Sequence, residues 1–183
     1  MNRTKRLLQS YTSFICTPWR SDTAAAQRVI FCVYTESEEL RMRAKFDEFE
    51  LATKEAGHAW ARFDLTDTFA DWLSSQKYSS SYFDRPELLG SKIHRYQEFI
   101  LETIRKQLAT SLSNQNCVVA ISGVGSVFGF LKVKDIVDKL APMVSGRFLV
   151  FFPGSYENNN YRLLDGYDGW NYLAVPITTE KDF

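Results

Sequence analysis

Short unbroken apolar runs alternate along this chain with longer stretches in which apolar residues return every three or four positions. That alternation predicts strands separated by helices. Val29–Tyr34 (VIFCVY) and residues 117–121 (CVVAI) are continuous apolar runs, the pattern of a strand covered on both faces. Residues 58–65 (HAWARFDL) alternate instead, with Ala59, Ala61, Phe63 and Leu65 opposite Trp60, Arg62 and Asp64. Runs at 148–152 and 172–177 bring the expected strands to five.

Between them the spacing is helical. Leu7, Leu8, Tyr11, Phe14 and Ile15 share one side of a helix over 4–15 that ends before Pro18. After the first strand, a helix capped by Thr35 or Ser37 turns Met42, Phe46, Phe49 and Ala56 inward and stops at Gly57. A short helix over 67–76, capped by Thr66, buries Phe69, Trp72 and Leu73. The clearest helix spans 92–112 through Ile93, Tyr96, Ile100, Ile104 and Leu108, and another spans 133–140. Residues 21–27 read as a linker, and 77–91 as a connecting loop whose aromatics pack down. Strands alternating with helices specify an α/β fold. We expect one Rossmann-like domain over 1–183, its mostly parallel sheet flanked by helices and led into by a helix and linker at 1–27.

The stretch from 147 to 177 (RFLVFFPGSYENNNYRLLDGYDGWNYLAVPI) organises the rest. Two buried-strand runs enclose a segment that leaves and re-enters the core. Tyr156, Glu157, Asn158, Asn159, Asn160, Tyr161, Arg162, Asp165, Asp168 and Trp170 crowd donors, acceptors and aromatic faces into that segment. Asparagines bond their own backbone, so a self-bonded structural loop is one reading. A partner-recognition surface is the other, because Tyr, Trp and Arg are the preferred anchors of interfaces.

Composition narrows the classes. With 183 residues, 45% of them apolar, the chain is long enough to bury a proper core. Lys plus Arg and Asp plus Glu are both 22, so no large net field draws the molecule to nucleic acid or to an anionic membrane. Cys16, Cys32 and Cys117 are an odd set without CxxC spacing, which fits a reduced, cytoplasmic setting. No stretch approaches the ~20 apolar residues of a membrane span. The residues after Arg3, Lys5 and Arg6 lack the unbroken apolar core of a signal peptide.

In such sheets ligands bind outside the carboxyl ends of the strands. The turn GVGSVFG (residues 123–129) lies there, and Gly123, Gly125 and Ser126 offer backbone N–H groups to a phosphate. Its third glycine comes one residue late for the dinucleotide fingerprint, and no Lys lies in the loop to make an ATP-binding loop. A tight turn packing helix on strand is the competing reading. Ser126 lacks the flanking glycines of a nucleophile elbow, and neither His58 nor His94 is placed by sequence to serve it. Asp64 and Asp67 resemble a carboxylate pair for Mg²⁺, although Asp67 also suits a helix start with no metal. The residues supply no catalytic set, no zinc spacing and nothing that requires a cofactor.

Three strings carry a resemblance: RVIFCVYTESEELRMRAKFDEFELATKEAGH (28–58), GHAWARFDLTDTFADW (57–72) and the run from 118 to 177 that contains FFPGSYENNNYRLLD and DGWNYLAVPI. They are similar to the BrxB family of BREX bacteriophage-defence systems, from the CTPWR segment (16–20) to the C-terminus. One departure is Gly166-Tyr167, where the family pattern leads us to expect Ala-Arg. The resemblance implies a non-enzymatic adaptor with no catalytic residues to carry over, associating directly with the alkaline-phosphatase-like PglZ protein. It also implies work beside an ATPase and a DNA methyltransferase. The neutral net charge leads us to expect no direct sequence-specific nucleic-acid binding. Self-association stays open.

Overall fold

The computed structural model describes residues 2–20, 22–111, 115–166 and 169–179. Tyr167, Asp168 and the residues from 112 to 114 that include the expected end of the long helix lie outside the described residues. Helix α1 (Arg3–Ile15) precedes strand β1 (Val29–Tyr34), and α2 (Glu39–Arg43) and α3 (Phe46–Glu55) lead to β2 (Ala59–Asp64). Next come α4 (Thr68–Ser74), α5 (Ser79–Asp84) and α6 (Ile93–Ser111), then β3 (Cys117–Ser122). Helix α7 (Val133–Leu140) leads to β4 (Arg147–Glu157), followed by β5 (Asn160–Leu163), β6 (Trp170–Asn171) and β7 (Val175–Ile177).

Five strands form a parallel sheet in the order β2-β3-β4-β1-β7, as the apolar runs predict for a Rossmann-like fold. The connection from β1 crosses the sheet in one direction to the far edge at β2, and the next two connections step back the other way. Right-handed crossovers therefore put their helices on opposite faces. The packing agrees: α3 buries Phe46 and Phe49 on one face, joined there by Leu7, Tyr11 and Ile15 of α1. On the other face α4, α6 and α7 bury Trp72, Tyr96, Ile100 and Ile136.

Strand β1 shows why an unbroken apolar run is required at the centre. Val29, Phe31 and Val33 feed the α4/α6/α7 layer, while Ile30, Cys32 and Tyr34 feed the α1/α3 layer. Each buried Val, Ile or Phe side chain contributes ~1.5–3 kcal/mol, so the strand stabilises both layers at once.

Some local expectations change. The single helix expected from Thr35 to Ala56 is a 3₁₀ turn at Glu36–Glu38 followed by α2 and α3, with a break at Ala44 and Lys45. Met42 and Phe46 are buried on either side of the break, and no Gly or Pro marks it in the sequence. Thr66 does not cap α4, whose N-cap position is Asp67; its hydroxyl and backbone N–H instead both donate to Asp64. The segment 77–91 contains α5 and a 3₁₀ turn at Pro86–Leu89, and although Tyr82 packs down, Tyr78 and Phe83 stay 61% and 74% exposed. No helix among the described residues is long and apolar enough to cross a membrane.

Candidate functional site

The outgoing half of the organising stretch is a strand, and the site is built on it. Strand β4 pairs with β1 from Phe148 to Pro153, then continues beyond the end of β1 and pairs antiparallel with β5 from Gly154 to Glu157. Pro153 has no N–H to offer a further rung, which suits the point where β4 changes partner. Gly154 is needed there for space: a Cβ on it would lie 2.0 Å from the Arg162 carbonyl oxygen. The turn is Asn158-Asn159, with φ of 51° and 62°, so both residues take the left-handed conformation of a two-residue hairpin. Asparagine tolerates that conformation, and the Tyr156 hydroxyl fastens the turn by donating to Asn159 Oδ1 at 2.8 Å. Strand β6 adds a third strand, pairing Trp170 with Tyr161 and Asn171 with Asn160.

The expected loop is thus a small antiparallel sheet with two unlike faces. Strand alternation turns Tyr156, Tyr161 and Trp170 inward, where Tyr161 meets Phe31 at 4.5 Å, Tyr156 at 4.6 Å and Phe152 at 6.0 Å between ring centroids. Tyr161 is fully buried, its hydroxyl donates to the Ala174 carbonyl at 3.3 Å, and burial pushes its phenol up. It is therefore a core residue, which corrects its reading as an exposed anchor. Trp170 is half-buried against Phe152 at 5.6 Å, and beside it Phe128, Phe130 and Leu163 line a hollow of about 450 Å³. The outer face and tip carry Glu157, Asn158, Asn159, Asn160 and Arg162, all exposed, and all of these but Asn159 surround a hollow of about 160 Å³.

On the side toward β1 the hairpin overhangs a cleft of about 410 Å³. This cleft opens at the carboxyl ends of β1 and β4, where the chain leaves neighbouring strands toward opposite faces, the place such sheets use for ligands. Tyr156, Glu157, Asn158 and Asn159 line one wall, Thr35 and Glu38 another, and Arg3, Thr178 and Thr179 complete it. Arg3, Thr178 and Thr179 come from the two ends of the described chain, so no local motif announced them.

The glycine turn belongs to a different arrangement. The Tyr34 hydroxyl donates to Glu39 Oε2 (2.6 Å), and Arg43 Nε donates to Glu39 Oε1 (2.8 Å). Arg43 Nη2 donates to the Thr66 hydroxyl (2.8 Å), which donates to Asp64 Oδ1 (2.5 Å) alongside the Thr66 N–H (3.0 Å). Burial acts to raise the Asp64 carboxyl, but the two Thr66 bonds, with Arg43 and Arg62, outweigh it and hold the group below the usual carboxylate range. Burial, with the Glu39 carboxylate beside it, drives the Tyr34 phenol far up. The sequence hinted at this relay only through the i, i+4 spacing of Glu39 and Arg43.

Asp64 and Thr66 also fill the space in front of the glycine turn. A Cβ on Gly123, whose φ is 71°, would lie 2.5 Å from Asp64 Oδ1 and 2.5 Å from Thr66 Oγ1. An ionised carboxylate so close repels a phosphate, and the Ser126 N–H is turned back onto the Gly123 carbonyl (3.0 Å). Gly125 packs near Pro153 and Leu164, so Gly123, Gly125 and Ser126 form a packed 3₁₀ turn. Asp67 sits exposed at the start of α4, and Asp64 already faces Arg43 at 3.8 Å. Among the described residues no group of three His, Cys, Asp or Glu side chains is placed to hold a metal ion.

No solved structure matches the chain. A curated relative, "BREX protein BrxB" of Bacillus cereus (strain H3081.97), is 30% identical over an alignment of 108 residues that covers 52% of this chain and 53% of that relative. The chain thus spans about half the length of the relative it matches. The family model described as BREX protein BrxB matches residues 61–176, from inside β2 through the hairpin to β7. Since that span takes in more than half of the sequence, the chain belongs to the BrxB family.

Proposed function

We propose that this BrxB-family chain is a non-enzymatic component of a BREX anti-phage assembly, an adaptor that docks the alkaline-phosphatase-like PglZ protein through the outer face and tip of the β4–β5 hairpin. The carrying observation is the two-faced hairpin: Tyr161 is locked into the core with Tyr156 packed against it, while Glu157, Asn158, Asn160 and Arg162 stand exposed around a shallow hollow. A surface held in one conformation before binding loses little entropy on docking, and an exposed acid and an exposed base on it, Glu157 and Arg162, supply orientation. Family membership supports a place among BREX components, beside the ATPase and the methyltransferase. The other reading of the sequence, a phosphate or nucleotide site at Gly123 to Ser126, is disfavoured by the Asp64 carboxylate that fills its cradle.

Co-purification with PglZ tests the proposal. Glu157 and Arg162 are exposed, so Glu157→Lys/Arg162→Glu keeps the fold and inverts the local charge pattern. Loss of two central contacts at ~1.5 kcal/mol each weakens binding about a hundredfold, which abolishes recovery in a pull-down. Wild-type recovery by the folded double variant removes the hairpin from the interface.

A further inference from the structure

The two edges of the five-stranded sheet are built differently. At one end β7 is three residues long and contains Pro176, both of which blunt an edge. At the other, β2 is six residues long with neither Pro nor Lys. The Ala59 and Leu65 N–H groups reach across toward β3, to the Asn116 and Ser122 carbonyls at 2.9 Å each. By strand alternation the N–H and C=O of Trp60, Arg62 and Asp64 therefore point away from the sheet. Among the described residues no hydrogen bond reaches those outward backbone groups.

We infer that β2 is a self-association edge, pairing antiparallel with β2 of a second copy to extend the sheet across a two-fold axis at Phe63. The charges select this partner and register. When Phe63 faces its twin, Arg62 of each copy falls opposite Asp64 of the other, and these are the residues with outward backbone groups. Centring the pair on Arg62 or Asp64 instead sets like charges face to face, which disfavours those registers. Both side chains have capacity left: Asp64 Oδ2 has only Arg43, at 3.8 Å, and Arg62 lies over the Phe46 ring with its Nη1 3.5 Å from Ser122 Oγ. A dimer of this kind carries two hairpins, although the pairing stands independently of what the hairpin binds.

Sedimentation of the whole chain over a dilution series tests the inference, with dimers expected for the wild type. Arg62→Pro deletes one outward donor and spares the ladder to β3, so a folded monomer is expected. Arg62→Glu sets a second carboxylate against Asp64 twice per dimer and weakens association about tenfold or more. Mixing Arg62→Glu with Asp64→Lys makes every cross-strand pair complementary again and restores a dimer. A wild type that is monomeric at every concentration overturns the inference, as does dimerisation of folded Arg62→Glu at wild-type strength.

Discussion

A ring buried among Phe31, Phe152, Tyr156 and Trp170 cannot be cut back without opening a void, so Tyr161 should behave as a core residue although it belongs to the projecting hairpin. Tyr161→Phe keeps the ring and loses only the bond to the Ala174 carbonyl, for an expected cost of about 1 kcal/mol. Tyr161→Ala should cost ~3–5 kcal/mol in urea unfolding. An alanine penalty no larger than that of phenylalanine would mean the hairpin is not anchored by this ring. For binding experiments Tyr161→Ala is uninformative, because lost affinity and lost stability would arrive together.

At the level of elements, the hairpin depends on its two-residue turn. A β-branched residue is poorly accommodated at φ near 50°, so Asn158→Val should destabilise the hairpin by ~1–2 kcal/mol, while Asn158→Gly should leave it unchanged or firmer. Amide exchange across β4 and β5 reads the difference, and equal protection in both variants would contradict the turn geometry. The parallel strands were legible because burial on both faces imposes an unbroken apolar run, as in β1 and β3, and an edge position permits alternation, as in β2. The hairpin was not. Pro153-Gly154 has the composition of a strand terminator, and only the 2.0 Å approach to the Arg162 carbonyl shows that the glycine lets the strand continue. The residues of the hairpin tip were visible as a cluster, but which of them face outward follows from a register set by pairing with β5 and β6. The wall formed by Arg3, Thr178 and Thr179 depends on contacts between distant parts of the chain, which no local pattern encodes.

Across the whole molecule, the relay from Tyr34 through Glu39, Arg43 and Thr66 to Asp64 ties the end of β1 to α2 and to the turn after β2. Because the folded Asp64 carboxyl titrates below its unfolded value of ~3.9, its stabilisation is present above that value and is lost as the pH falls through the folded one. Denaturant unfolding should therefore show a smaller loss of stability between about pH 5 and pH 3 in Asp64→Asn than in the wild type. Identical losses would mean that Asp64 gains nothing from Thr66 and Arg43. The register that sets Val29 beside Phe148 also bears on how the molecule is made. On a ribosome adding ~5–20 residues per second, β1 emerges on the order of ten seconds before the strand that covers its side. Throughout that interval the six apolar residues of β1 lack their β4 partner, the kind of transiently exposed strand edge that invites aggregation.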